Sequence, residues 1–150
     1  MSSPIPVGRR VSFDYGEKRI GVATSDQESI LVSPHATIKN DDQLPKKIDE
    51  ILAQVQPLYV VIGNPKHLSG MDSKTSQDVF GFASLVRNFF DGPIYLVDER
   101  LSTQISYAQM RQTGKTERES KPVIDQIAAV NILETAILNE KANGAIGSIF

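Results

Sequence analysis

The stretch Val11 to Ser25, VSFDYGEKRIGVATS, decides how the rest of the chain is read. Val11, Phe13 and Tyr15 alternate with Ser12 and Asp14, the period of a β-strand. Gly16, Glu17 and Lys18 form a short turn, and Ile20, Val22 and Ala23 carry a second strand back. Asp14 is the anomaly. A carboxylate within an apolar strand is costly to bury unless it is paired or holds a metal. An Asp can also simply cap its own turn. The hairpin alone leaves both readings open.

Beyond the hairpin, Ile30 to Ile38 reads as a third strand, and Pro34 within it calls for an edge position. Asn40 to Gln56 reads as a helix, with Asp41 or Asp42 at its N-terminus and Leu44, Ile48, Ile51, Leu52 and Val55 on one face. Leu58 to Ile62 is the apolar run of a strand buried on both faces. The loop 63–73 follows it, where open α/β sheets gather ligands. Lys74 to Phe90 gives a second helix and Pro93 to Val97 another buried strand, running straight into Asp98, Glu99 and Arg100. A third helix is expected from Ser102 or Thr103 to about Gln112, then a polar loop from Thr113 to Lys121. Pro122 suits the first turn of a last helix that is apolar nearly all round and carries Asp125 near its start. The expected fold class is α/β: one mixed sheet of five strands, the first three antiparallel, flanked by helices. Residues 1–150 form a single domain with flexible tails at 1–8 and 142–150.

Composition narrows the chemistry. The chain has no cysteine, so no disulfide scaffold and no Cys-ligated zinc site. No stretch approaches the roughly 20 apolar residues of a membrane span, and MSSPIPVGRR lacks the apolar core of a signal peptide. A cytoplasmic location is expected. A net charge of −2 excludes a protein that is basic all over. From Arg100 to Lys121, however, five Lys and Arg face two Glu, a local balance of +3. Such a run is usually a solvated face, but here it adjoins acids.

Three acidic positions stand out: Asp14, the Asp98–Glu99 pair, and Asp125. Clustered carboxylates repel one another unless cations neutralise them, and hard oxygen ligands favour magnesium or manganese. Two such ions about 3.5–4 Å apart can clamp the attacking and leaving oxygens of a phosphodiester.

The chain resembles the YqgF/RuvX family of nuclease-like proteins, in the ribonuclease H-like superfamily that also holds Holliday junction resolvases. The resemblance runs from about Arg10 to Lys141. Its carriers are DYGEKRIGVA (Asp14 to Ala23), GNPKHLSG (Gly63 to Gly70), DERLST (Asp98 to Thr103) and KPVIDQIAAVNIL (Lys121 to Leu133). It implies a ribonuclease H-like fold and makes Asp14, Glu99 and Asp125 the catalytic acids and the ligands of Mg2+ or Mn2+ in a two-metal site. By that resemblance Glu99, not Asp98, matches the acid after the fourth strand, a choice that matters because adjacent strand residues point to opposite faces. Arg100, Ser102, Thr103 and Lys121 become candidates for substrate phosphate contact. Asn64, Lys66 and His67 depart from the family pattern in the second motif.

The implied activity is metal-dependent hydrolysis of phosphodiester bonds, maturing the 5′ end of pre-16S rRNA. The alternatives are a resolvase of branched DNA, a non-catalytic nucleic-acid-binding module and an actin-like phosphotransferase. The last needs two such domains. A resolvase needs two sites related by a twofold axis, and the first two helices show single core-facing stripes. A monomer or weak homodimer acting on structured or precursor RNA is therefore expected, with branched DNA as the alternative.

Overall fold

A computed structural model describes residues 5–64, 74–98 and 117–150, with the side chains of 64, 74–76, 98 and 117–125 outside the description. The elements run β1 (Val11–Asp14), β2 (Arg19–Ser25), β3 (Val32–Lys39), α1 (Leu44–Val55), β4 (Val60–Asn64), α2 (Lys74–Arg87), β5 (Ile94–Asp98), α3 (Glu117–Asn143) and β6 (Ser148–Ile149). The third helix expected at about 102–112 lies outside the described residues.

The sheet order is β3-β2-β1-β4-β5-β6. β1, β2 and β3 form an antiparallel meander, and β4 and β5 extend it in parallel from β1. Gly16 makes the first turn possible: a Cβ there would lie 2.5 Å from the Arg19 carbonyl oxygen. Pro34 does sit on the edge strand, where its missing N–H costs no ladder bond. The register slips between Val22, opposite Ala36, and Ala23, opposite Pro34, so His35 is the extra residue of a β-bulge.

Strand alternation divides the core in two. Val11, Phe13, Ile20, Val22, Val60, Ile62, Ile94 and Leu96 face α1 and α2. Val61 and Val97 face α3, where Ile132, Leu133, Ala136 and Ile137 meet them. The apolar stripe expected on α1 is buried at all five positions. Arg87 closes α2 by donating to the carbonyls of Phe90 (3.1 Å) and Gly92 (2.7 Å).

The structure departs from expectation in four places. The sheet has six strands, not five, because Ser148–Ile149 pairs antiparallel with β5. Gly147 lets this segment approach, since a Cβ would meet the Leu96 carbonyl oxygen at 2.6 Å, and Ile146 buries itself beside α3. Residues 142–150, expected as a flexible tail, thus extend the sheet. At the other end, residues 1–4 lie outside the description, while Pro6 and Gly8 accept hydrogen bonds from Arg10. Helix α1 begins at Leu44 rather than near Asn40. Asp41 caps the preceding turn by accepting the Gln43 N–H at 3.0 Å, and Pro45 sets the first helical turn. Helix α3 begins at Glu117, five residues before Pro122. Its opening residues Glu117, Arg118 and Glu119 are good helix formers.

Candidate active site at the carboxyl edge of the sheet

Asp14 is the last residue of β1, half-buried at the edge where β4 and β5 also end. It lies opposite Gly21 of β2, which in turn lies opposite Thr37 of β3. Phe13 faces α2, with its ring 5.4 Å from that of Phe82. Alternation therefore puts Ser12 and Asp14 on the side of α3.

Two hydrogen bonds hold α3 against this lane. Ser12, fully buried, donates its hydroxyl to the Ala129 carbonyl at 2.6 Å. Gln126 donates its side-chain N–H to the Thr37 hydroxyl at 2.8 Å, on the strand row that Asp14 shares. The helix can lie close because small residues meet there: Ser12, Gly21 and Ala23 on the sheet, Ala128 and Ala129 on the helix. Farther along, Glu140 of α3 meets Arg10, just before β1. The helix thus runs antiparallel to β1, with its N-terminal half over the edge that carries Asp14.

This docking sets the level of position 125. From Ser12 to Asp14 the strand advances about 7 Å. From Ala129 back to residue 125 the helix advances about 6 Å, in the same direction and on the same helical face. Backbone position 125 is therefore level with the Asp14 row. Ala128 and Ala129, three and four residues on, are both buried against the sheet.

On β5, Ile94 and Leu96 face α1 and α2, whereas Val97 faces α3 with Tyr95 packed beside it. Residue 98 ends the strand in register with Asn64. Glu99, Arg100, Ser102 and Thr103 lie outside the described residues, as does the loop from 65 to 73. Lys121 is in α3 by its backbone. Among the described residues no group of three potential ligands is assembled, and of the three expected acids only Asp14 has a described side chain.

At the opposite end of β1 the structure holds a cluster that sequence reading missed. Arg10, fully buried, donates through Nε and Nη2 to the two carboxylate oxygens of Glu140, both at 3.0 Å. Its remaining N–H groups reach the carbonyls of Gly8 and Pro6. The Tyr59 hydroxyl donates to Glu140 at 2.7 Å, and burial together with this bond pushes its pKa well above the usual value. The guanidinium lies 5.4 Å from the Tyr59 ring centroid. A partner 130 residues away leaves no local trace in sequence. Thr37 and Gln126 left a weak signal, as polar residues on faces otherwise turned to the core.

The meander, its parallel extension and the helix laid across it define a ribonuclease H-like fold. Solved structures agree: the chain superposes on Thermus thermophilus RuvC in complex with a Holliday junction substrate with a TM-score of 0.57, 13% identity, covering 87% of this chain and 96% of that one. The Fowlpox virus resolvase bound to Holliday junction DNA gives a TM-score of 0.54 and 17% identity, covering 90% and 99%. Residues 8–139 match the RuvX family, described as a Holliday junction resolvase, and the chain belongs to that family. A relative from Clavibacter michiganensis subsp. michiganensis, named "putative pre-16S rRNA nuclease", is 37% identical over 142 residues, 93% of this chain and 88% of the relative. One of the same name from Streptomyces coelicolor is 34% identical over 140 residues, covering 91% and 84%.

Proposed function

We propose that this chain is a nuclease that hydrolyses phosphodiester bonds with Mg2+ or Mn2+ held by Asp14, Glu99 and Asp125. The observation that carries the reading is the docking of α3, whose hydrogen bonds from Gln126 to Thr37 and from Ser12 to Ala129 bring position 125 level with Asp14. The donor set fits the metal: hard carboxylate oxygens, no cysteine, and a glycine opposite Asp14 that adds no competing side chain. The alternation along β5 supports Glu99 over Asp98, since it is the odd-numbered residues that turn toward α3.

When bound, the ions supply charge that readies water for attack and offsets the charge on the leaving oxygen. The chain's own contribution is orientation. Asp14 comes from the end of β1 and Asp125 from α3, two elements that the Ser12 and Gln126 hydrogen bonds hold together. Arg100, Ser102, Thr103 and Lys121 contact flanking phosphates.

The substrate in this reading is precursor RNA, at the 5′ end of pre-16S rRNA, as the names of the relatives suggest. The protein acts as a monomer or weak homodimer in the cytoplasm. Among the described residues no helix is long and apolar enough to cross a membrane. The test is cleavage of an RNA spanning the precursor segment, with Mg2+, Mn2+ or chelator, by wild type and Asp14→Asn. Metal-dependent cleavage is expected, falling to background in a variant whose circular dichroism is unchanged. Full activity of Asp14→Asn would remove the assignment. The family description and the fold shared with two resolvases favour one second reading, cleavage of branched DNA. Symmetric nicking of a four-way junction by a tight dimer would establish it instead.

A further inference from the structure

On the other side of β1 from Asp14, a cleft of 310 Å³ opens between the end of the strand and helices α1 and α2. Its floor is apolar, made by the buried Leu44 and Phe82, with the Tyr15 ring 5.3 Å from that of Phe82 and tilted 44° to it. Asn40 is fixed at its rim: its amide nitrogen donates to the Tyr15 hydroxyl at 3.1 Å and to the Gly16 carbonyl at 3.0 Å. With that nitrogen committed to the protein, Asn40 has its carbonyl oxygen to offer a ligand. Asp78 adds a carboxylate, the one charged group among the described lining residues. Gly81 leaves the wall open, since a Cβ there would meet nothing within 4 Å.

These features select a ligand class. The volume lies at the small end of the ~300–1,000 Å³ typical of ligand sites, enough for one ring system. The partly exposed Tyr15 ring offers a flat π-face, for which base stacking is the general use in single-strand binding. Asn40 and Asp78 present acceptors, so the ligand must bring N–H donors. Among the described lining residues there is no Lys or Arg, and Asp78 is an acid, so the lining disfavours phosphate. Tyr15 directly follows Asp14, and consecutive strand residues point to opposite faces. A strand crossing the sheet edge would thus meet the metal-binding acid on one side of β1 and this cleft on the other.

We propose that the cleft is a base-reading subsite that takes an amino-bearing nucleobase (adenine, guanine or cytosine) from a nucleotide flanking the scissile phosphate. It rests on the nuclease reading above and deepens it by giving the enzyme a sequence preference at one fixed distance from the cut. Exocyclic amino groups donate to Asp78 and Asn40, and uracil, whose one N3–H donor sits between two carbonyl oxygens that would face the Asp78 carboxylate, is the poor ligand.

The test has a binding arm and a cleavage arm. In the first, the Asn40 side-chain amide and Gly81 backbone amide signals are followed by NMR during titration with adenosine, guanosine, cytidine and uridine. Amino-bearing nucleosides should bind about tenfold more tightly than uridine, the scale of one charge-assisted hydrogen bond. Asp78→Asn should bring that ratio close to one. Gly81→Leu, which replaces a helix-weakening glycine and so keeps the fold, should abolish binding. In the second arm, RNAs varied one base at a time are cut with metal present. Wild type should show about a tenfold preference at one position, lost in Gly81→Leu. Base-blind cleavage with no saturable shift would overturn the subsite and leave the nuclease reading standing. Saturable, Asp78-dependent shifts in a protein that cuts no RNA or junction would do the reverse. Shifts as large for uridine, unchanged by Asp78→Asn, would also overturn it.

Discussion

Replacing Glu140 by Gln should destabilise the protein by about 3 kcal/mol, because it leaves Arg10 charged and buried without its counter-ion. The Arg10 side chain is fully buried and that of Glu140 is 9% exposed, so water screens neither group well. Removing one partner of a buried ion pair typically costs ~3–5 kcal/mol. The lower end applies here, since the Gly8 and Pro6 carbonyls still accept from the guanidinium. For a domain of this length each kcal/mol shifts the melting temperature by about 2–4 °C, giving a drop of roughly 10 °C. Urea unfolding of wild type, Glu140→Gln, Arg10→Met and the Arg10→Met/Glu140→Leu double variant measures the effect. The midpoint should fall in each single variant at an unchanged slope. The double variant should recover most of the loss, as apolar replacements of whole buried pairs do. A loss below about 1 kcal/mol in Glu140→Gln would refute the reasoning, and so would a double variant no better than the worse single one. The consequence reaches the site, because this clamp anchors the C-terminal half of α3, whose N-terminal half lies over Asp14.

Three further outcomes are expected. Glu99→Gln should lower kcat by more than about a hundredfold, beyond the range for residues that only support a metal ligand, while Asp98→Asn stays within it; the reverse order in steady-state cleavage assays would show that the parity of β5 is not kept past Val97. Ser29→Gly should raise stability by about 1 kcal/mol in thermal or urea unfolding, because Ser29 sits at φ 58° with its buried hydroxyl unpaired among the described residues; a loss of stability would mean that the hydroxyl is satisfied. Burial, reinforced by Arg9, holds the His35 pKa below its usual 6.5. The unfolded chain therefore binds more protons just below that value, and stability falls as pH drops through it. His35→Gln should flatten the melting temperature between pH 7.5 and 5.5, and an unchanged pH slope would exclude His35 as the cause.

Much of this architecture was legible because it rests on short-range pattern. The alternation from Val11 to Tyr15 and the continuous apolar runs of β4 and β5 report which faces are covered, and the structure covers them so. Helical spacing on α1 likewise predicted each residue that α1 buries. What escaped was set by distant partners. Ser148 and Ile149 carry no strand signal of their own, and become a strand because Gly147 lets the backbone close on β5. Arg10 reads as the end of a polar tail until Glu140 arrives from a helix 130 residues later.

The candidate site shows the same division, and its logic explains why sequence could name acids without showing how strand and helix dock. Asp14 was conspicuous as a charge in an apolar strand. That position 125 comes level with it depends on Ser12, Gly21, Ala23, Thr37 and Gln126, none of which is acidic or suggests catalysis by its type. Ser12 and Gln126 supply the hydrogen bonds, and Gly21 and Ala23 supply the clearance. In the proposed site, then, the acids are the metal's ligands, but it is the small and neutral residues between strand and helix that set the level of position 125 against Asp14.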